Sequence, residues 1–192
     1  MSFINYSDKE INFKIVYYGP GLSGKTTSLK FIHQKAKGKK SDKLHIDTGI
    51  ERTLFFDFVP LFLSEVNGYK TRFHLYTVPG QVLYDDSRKL ILKGVDGILF
   101  VADSLMDQME ANLKSLENLK KNLSEENLSL DKIPLVFQYN KRDLANVANY
   151  DALRNLLNPN QNPDLESIAT KGEGVFEAFK ELAKIVVKSQ AK

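Results

Sequence analysis

The chain has 192 residues, enough for one ordinary domain with a full core. Its 42% apolar and 27% charged residues are those of a water-soluble globular protein, and a net charge of +3 is too small to point to nucleic acid or an anionic membrane. The absence of cysteine excludes a disulfide framework, thiol catalysis and a cysteine-built metal site.

Residues 1–6 lack a basic-then-apolar signal design, and no run of 18 apolar residues marks a membrane span. A soluble cytoplasmic protein is expected, with residues 1–192 as one domain and 188–192 as a flexible tail. Residues 11–18 (Ile-Asn-Phe-Lys-Ile-Val-Tyr-Tyr) read as the first strand. Gly19-Pro20-Gly21-Leu22-Ser23-Gly24-Lys25-Thr26 follows and fits G-x-x-x-x-G-K-S/T, the phosphate-binding loop. Chance gives such a match in a chain of this length about 1% of the time. The loop works by aiming backbone N–H groups and a helix N-terminus at phosphate oxygens, so its place between a strand and a helix matters. Glycines at 19, 21 and 24 permit backbone angles and close approach that a Cβ would block. Lys25 is placed to reach the β/γ-phosphates and the Thr26 hydroxyl to bind Mg²⁺, with Leu22, Ser23 and Thr27 completing the candidate nucleotide-binding set.

Residues 24–36 form the first helix, with Leu29, Ile32 and Ala36 at helical spacing. The polar stretch 37–53 is a long loop of the kind that is usually functional. Leu54–Val66 and Lys70–Thr77 read as a hairpin turning at Asn67-Gly68, which places one antiparallel edge strand on a mostly parallel sheet. Pro60 cannot donate to a ladder, so the first of these strands is expected at an edge with a bulge near Pro60, either as an interface or buried under a terminal segment.

Residues 78–94 form a loop leading into a short helix. Val95–Ala102 is a buried-type strand, with Asp103-Ser104 as the expected cap of the next helix. Met106, Met109, Leu113, Leu116, Leu119 and Leu123 mark the core stripe of that helix. Residues 133–139, 150–157, 165–169 and 173–188 read as strand, helix, strand and helix. The alternation argues a sheet covered by helices on both faces.

Asn140-Lys141-Arg142-Asp143 fits N-K-x-D just past a strand end, where ligands collect in open α/β sheets. A carboxylate at Asp143 can accept from guanine N1–H and its 2-amino group together, whereas adenine offers neither. Such a site discriminates by factors on the order of 10⁴ or more. The Lys141 stem can cover the base, and Asn140 can tie this turn to the phosphate loop. GTP and GDP are therefore the expected ligands, with Mg²⁺ as cofactor.

Four stretches carry a closer likeness: residues 17–21, Arg52-Thr53-Leu54-Phe55-Phe56-Asp57-Phe58, Phe73–Gln81 and Arg88–Gly97. By them the chain resembles the MglA family of Ras-like small GTPases over almost its whole length. The resemblance implies a P-loop small-GTPase fold, a mostly parallel six-stranded sheet with one antiparallel edge strand and helices on both faces. It also implies a molecular switch that hydrolyses GTP, with switch I at 38–53 and switch II at 78–92. Thr53 then matches the switch I threonine that binds Mg²⁺ and senses the γ-phosphate. Gly80 matches the glycine whose N–H meets that phosphate, and Gln81 the glutamine that orients the attacking water. Arg52 looks like an arginine finger supplied in cis, the alternative being a solvated loop arginine. Arg88 is the other candidate, expected instead to pair with Asp85 or Asp86. Ala169 corresponds to the N–H donor to guanine O6.

Thr77 departs from the superfamily, which has an aspartate there, and a neutral hydroxyl should hold Mg²⁺ less firmly. The resemblance further implies control of cell polarity and motility through effectors, a roadblock-domain activator of the MglB type, recruitment to cell poles and a monomer when free. With no cysteine, the prenyl and palmitoyl anchors of eukaryotic relatives are excluded. The competing readings are a guanine-nucleotide scaffold that does not hydrolyse and an ATP-dependent P-loop kinase, the latter disfavoured by Asn140–Asp143.

Overall fold

The computed structural model describes residues 3–38, 51–53, 56–66, 68–79 and 85–190. Residues 39–50, Asn67, Gly80 and Gln81, on which the expected switch I, the expected hairpin turn and the expected switch II fall, lie in whole or part outside this set.

The sheet grows from β2 (Glu10–Tyr18), whose alternation sends Phe13, Ile15 and Tyr17 to one face and Val16 and Tyr18 to the other. Parallel neighbours flank it: β5 (Tyr69–Thr77) on one side and β6 (Gly97–Asp103) on the other, followed outward by β7 (Leu135–Asn140) and β8 (Asp164–Ser167). Every residue of β6 and β7 is buried, as near-continuous apolar runs are when helices cover both faces.

One face packs against α1 (Lys25–Gly38) and α5 (Val175–Gln190), with Leu29, Ile32, Phe176, Phe179 and Leu182 in its core. The other packs against α2 (Asp85–Leu92), α3 (Met109–Glu125) and α4 (Tyr150–Leu157), with Leu92, Leu116, Leu119, Leu123 and Leu153 buried. Burying side chains of this size is worth about 1.5–3 kcal/mol each. No described helix is long and apolar enough to cross a membrane.

The small-GTPase layout is present, but the sheet differs from the six strands expected. Among the described residues it has eight: five parallel strands, and three antiparallel ones. The hairpin strand β4 (Phe56–Val66) pairs with β5 as anticipated, yet it is not outermost, because β3 (Glu51–Thr53) pairs with it through Glu51↔Phe58, Arg52↔Asp57 and Thr53↔Phe56. β3 stops short of Pro60, so the missing proline N–H removes no bond between these two strands. The register shift falls between Phe62 and Ser64, slightly beyond Pro60. Gly68, at φ 79°, supplies the turn. β1 (Phe3–Asn5) folds back on the start of β2, its turn held by Asn5 Oδ1 accepting from Ser7 N at 3.1 Å and Ser7 Oγ at 2.7 Å.

Two further expectations change. Asp103 and Ser104 do not cap α3, which begins only at Met109 after a 3₁₀ turn; Met106 lies in that turn and is 54% exposed. The last helix runs to Gln190, so the chain from 188 to 190 is helical and not a tail.

Candidate functional site

The phosphate loop joins β2 to α1 at the carboxyl end of the parallel strands. Gly19 has φ 140°, and a Cβ there would collide with the Val101 carbonyl oxygen of β6. Gly24 has φ 103°, and a Cβ there would strike the Asn140 amide. The left-handed residue between them is Leu22, at φ 60° and 91% exposed, and not Gly21. The loop thus uses two of its three glycines for angles or approaches closed to other residues.

Two groups inside the loop have polar capacity to spare. Ser23 Oγ is buried and finds no partner among the described residues. Lys25 is 6% exposed and turns its ammonium back onto the carbonyls of Gly19, at 2.9 Å, and Pro20, at 2.5 Å. Burial pulls its pKa down to about 7, and the nearby Arg88 guanidinium adds to the effect. A buried cation on neutral carbonyls is suited to an anion. The first turn of α1 carries no acidic residue, whereas those of α2, α3, α4 and α5 each do. Its positive end is therefore left for a ligand.

Asn140 joins this loop to the second motif. Its amide Nδ2 donates to the Ser23 carbonyl at 2.7 Å, while Oδ1 accepts from the Ala169 N–H at 2.9 Å and the Ser167 hydroxyl at 3.1 Å. The residue is 2% exposed. Three chain segments more than twenty residues apart meet on one side chain. Gln138, also buried, repeats the pattern one pleat below: its Nε2 donates to Ser28 Oγ on α1 at 3.1 Å and Ser167 Oγ on β8 at 2.9 Å. The Ala169 N–H, which the likeness at 168–170 offers to guanine O6, is bonded to Asn140 in this structure.

The Asn140–Asp143 turn is braced on several sides. Lys141 adopts φ 71°, and Leu144 N closes the turn onto the Lys141 carbonyl at 3.2 Å. Lys141 Nζ lies 2.5 Å from Asp103 Oδ2, an ion pair whose carboxylate is almost wholly buried. Asp103 is in turn fixed by Asn112, which bonds both its N–H (2.9 Å) and its carbonyl (2.8 Å). Arg142 is held by Glu166 at 2.6 Å and by the Ala148 carbonyl at 2.6 Å. Asp143 remains accessible, with a side chain 29% exposed and Lys171 4.0 Å away. Sequence alone does not single out Asp103 or Asn112 as part of this arrangement. The signal was there: an aspartate ends β6 beside the strand bearing N-K-x-D, and an asparagine sits on the buried stripe of α3.

The γ-phosphate side is described in part. Arg52 and Thr53 belong to β3, at the end of switch I, but their side chains, like Gly80 and Gln81, lie outside the described residues. Thr77 closes β5 beside Tyr17 of β2 and is 3% exposed. Arg88 departs from the expected pairing with Asp85 or Asp86. It is buried, donating from Nε to the Pro79 carbonyl at 2.9 Å and from Nη1 to Asn118 at 2.7 Å, because an α3 amide lies between it and Asp85. Hydrogen bonds from Asn118 and Asn122 hold the Asp85 carboxyl below the usual carboxylate range. Burial pushes the Tyr18 phenol up to about 12, so it remains a donor. Among the described residues no cluster of His, Cys, Asp and Glu could hold a metal ion. Threonine hydroxyls, phosphate oxygens and water are hard donors of the kind that suit a magnesium ion.

Comparison with known proteins fits this geometry. The family model described as the ADP-ribosylation factor family matches residues 1–186. The mutual gliding-motility protein MglA of Myxococcus xanthus (strain DK1622) is 58% identical over 188 residues, covering 97% of this chain and 96% of that protein.

Proposed function

The chain belongs to the ADP-ribosylation factor family of Ras-like small GTPases, and from that premise we propose that its nucleotide state governs cell polarity and gliding motility. It is a GTPase switch of the MglA kind, and the finer reading concerns which residues run it. Asn140 carries that reading: its three hydrogen bonds make the phosphate loop, the N-K-x-D turn and the 167–169 loop one preformed site.

In this reading Lys25 leaves the Gly19 and Pro20 carbonyls for the β- and γ-phosphates, and the N–H groups at the start of α1 with Ser23 Oγ complete the cradle. Asp143 accepts from guanine N1–H and the 2-amino group, while Lys141, anchored on Asp103, lays its stem along the base. Thr26 and Thr53 are the hydroxyl ligands of Mg²⁺, which when bound neutralises charge on the β- and γ-phosphates. Gln81 orients the attacking water, the Gly80 N–H meets the γ-phosphate, and Arg52 supplies a cation to the transition state. A cis arginine of this kind raises turnover from about 10⁻⁴ to roughly 10⁻² s⁻¹. The protein is a one-domain cytoplasmic monomer when free, recruited to poles by partners. An MglB-type roadblock-domain activator acts on 38–53 and 78–92 without adding an arginine.

Single-turnover GTP hydrolysis by wild type, Arg52→Ala and Gln81→Ala, alone and with a roadblock-domain protein, tests these roles. Both variants should bind GTP normally and lose stimulated turnover. Turnover retained by Arg52→Ala sinks the cis-arginine assignment.

A further inference from the structure

Two amides on one face of β7 grip the two ends of the same short segment. Asn140 Nδ2 donates to the Ser23 carbonyl at 2.7 Å, and Gln138 Nε2 donates to Ser28 Oγ at 3.1 Å. Between Ser23 and Ser28 lie Gly24, Lys25 and Thr26, and the Ser28 N–H closes the start of α1 onto the Gly24 carbonyl at 2.9 Å. The orientation of the Gln138 amide follows from its neighbours. Asn140 Oδ1 accepts from the Ala169 N–H, so it is an oxygen, and the Ser167 hydroxyl commits its one proton to it. Ser167 Oγ can then only accept from Gln138, whose Nε2 faces it at 2.9 Å. Gln138, Ser28 and Ser167 are all buried, yet Gln138 Oε1 finds no partner among the described residues. An apolar side chain at 138 would avoid that unpaired oxygen, so stability alone does not account for an amide here.

We propose that Gln138 is a positioning residue for the phosphate-binding segment, acting through Ser28. Held at both ends by β7, residues 23–28 present the N–H groups of the loop and of the α1 start, with Lys25 and Thr26, in a fixed arrangement. The ordering that phosphate binding demands is then in place beforehand. Asn140 keeps its bonds to Ser23, Ser167 and Ala169 whether or not Gln138 is present, so the reading of the base does not pass through this contact. The inference rests on the reading of residues 19–26 as the phosphate site.

Gln138→Met keeps the length and volume of the side chain and removes its donor. Affinities of the full-length chain for GDP and for inosine diphosphate, whose base lacks the 2-amino group, are measured by titration, with urea unfolding to establish that each variant is folded. Both nucleotides should bind on the order of tenfold more weakly, with their ratio within about twofold of wild type. Ser28→Ala should weaken GDP binding to a similar extent, and the double variant should lose no more than either single one. GDP affinity within about twofold of wild type in folded Gln138→Met, or in Ser28→Ala, overturns the inference. A full additional loss in the double variant overturns it too, as does a collapsed GDP-to-inosine diphosphate ratio, which marks a general loosening of the site. Lys25→Ala separates the two claims. Wild-type GDP affinity in Lys25→Ala overturns the phosphate-site reading, whereas weak binding there beside normal binding in Gln138→Met overturns the positioning role alone.

Discussion

Replacing Asn140 with alanine removes the joint of the site and leaves its partners stranded. The Ser23 carbonyl and the Ala169 N–H, bonded at 2.7 and 2.9 Å, would have no replacement in a site where Asn140 is 2% exposed. Each buried, unpaired backbone group costs about 1–3 kcal/mol. The Ser167 hydroxyl fares better, because it still accepts from Gln138 at 2.9 Å. Two stranded groups predict a stability loss of about 3 kcal/mol, a large part of the roughly 5–15 kcal/mol of an ordinary domain. Urea unfolding of the nucleotide-free protein, followed by circular dichroism, reads this as a lower midpoint at unchanged slope. GDP affinity should fall by about 100-fold or more, since roughly 2.7 kcal/mol of lost alignment corresponds to that factor. Asn140→Asp keeps both acceptor bonds but turns an oxygen toward the Ser23 carbonyl. It should unfold later than the alanine variant yet bind GDP as poorly. A stability loss below about 1 kcal/mol for Asn140→Ala, at equal slope, refutes the reasoning.

Lys25, with a folded pKa of about 7 against an ordinary 10.5, binds fewer protons in the folded nucleotide-free protein than in the unfolded chain across that window. Stability of the nucleotide-free form should therefore rise with pH from about 7 to 10, and Lys25→Met should abolish the rise. Phosphate draws the proton back, so GDP binding at pH 8 should take up protons; calorimetric enthalpies that do not vary with buffer ionisation heat refute this. Gly24→Ala, at φ 103° and with its new methyl driven against the Asn140 amide, should cost about 2–4 kcal/mol by strain and a broken bond. A urea midpoint within error of wild type rules that clash out.

Much of this site was legible because its chemistry is local. Gly19, Gly24, Lys25 and Asn140–Asp143 act through residue type at fixed spacing on a strand end, and spacing is what a sequence displays. Their supports come from elsewhere in the chain. Asn112, Asn118 and Asn122 lie on α3 among the leucines 113, 116, 119 and 123, where an isolated asparagine reads as a solvated position. Only the fold shows that Asn112 grips Asp103 and that Asn118 and Asn122 reach Asp85. Asp103 reads as a helix cap because Asx residues favour that place, but its carboxylate pairs with Lys141 and accepts from the Leu105 N–H, short of the helix that begins at Met109. Strands β1 and β3 escaped notice for another reason: three residues carry too little periodicity to be told from loop. Leu22 is the reverse case, a bulky residue accepting the left-handed angle that the motif's glycines lead one to assign to Gly21.

In the proposed reading Asp143, on a turn braced by Asn140 and Lys141, makes the site one for guanine. Equilibrium competition between GTP and ATP for the nucleotide-free protein, repeated with Asp143→Asn, tests it directly. The account predicts a preference for GTP on the order of 10⁴ or more that collapses in the variant. Comparable affinities of the wild-type protein for GTP and ATP would contradict it.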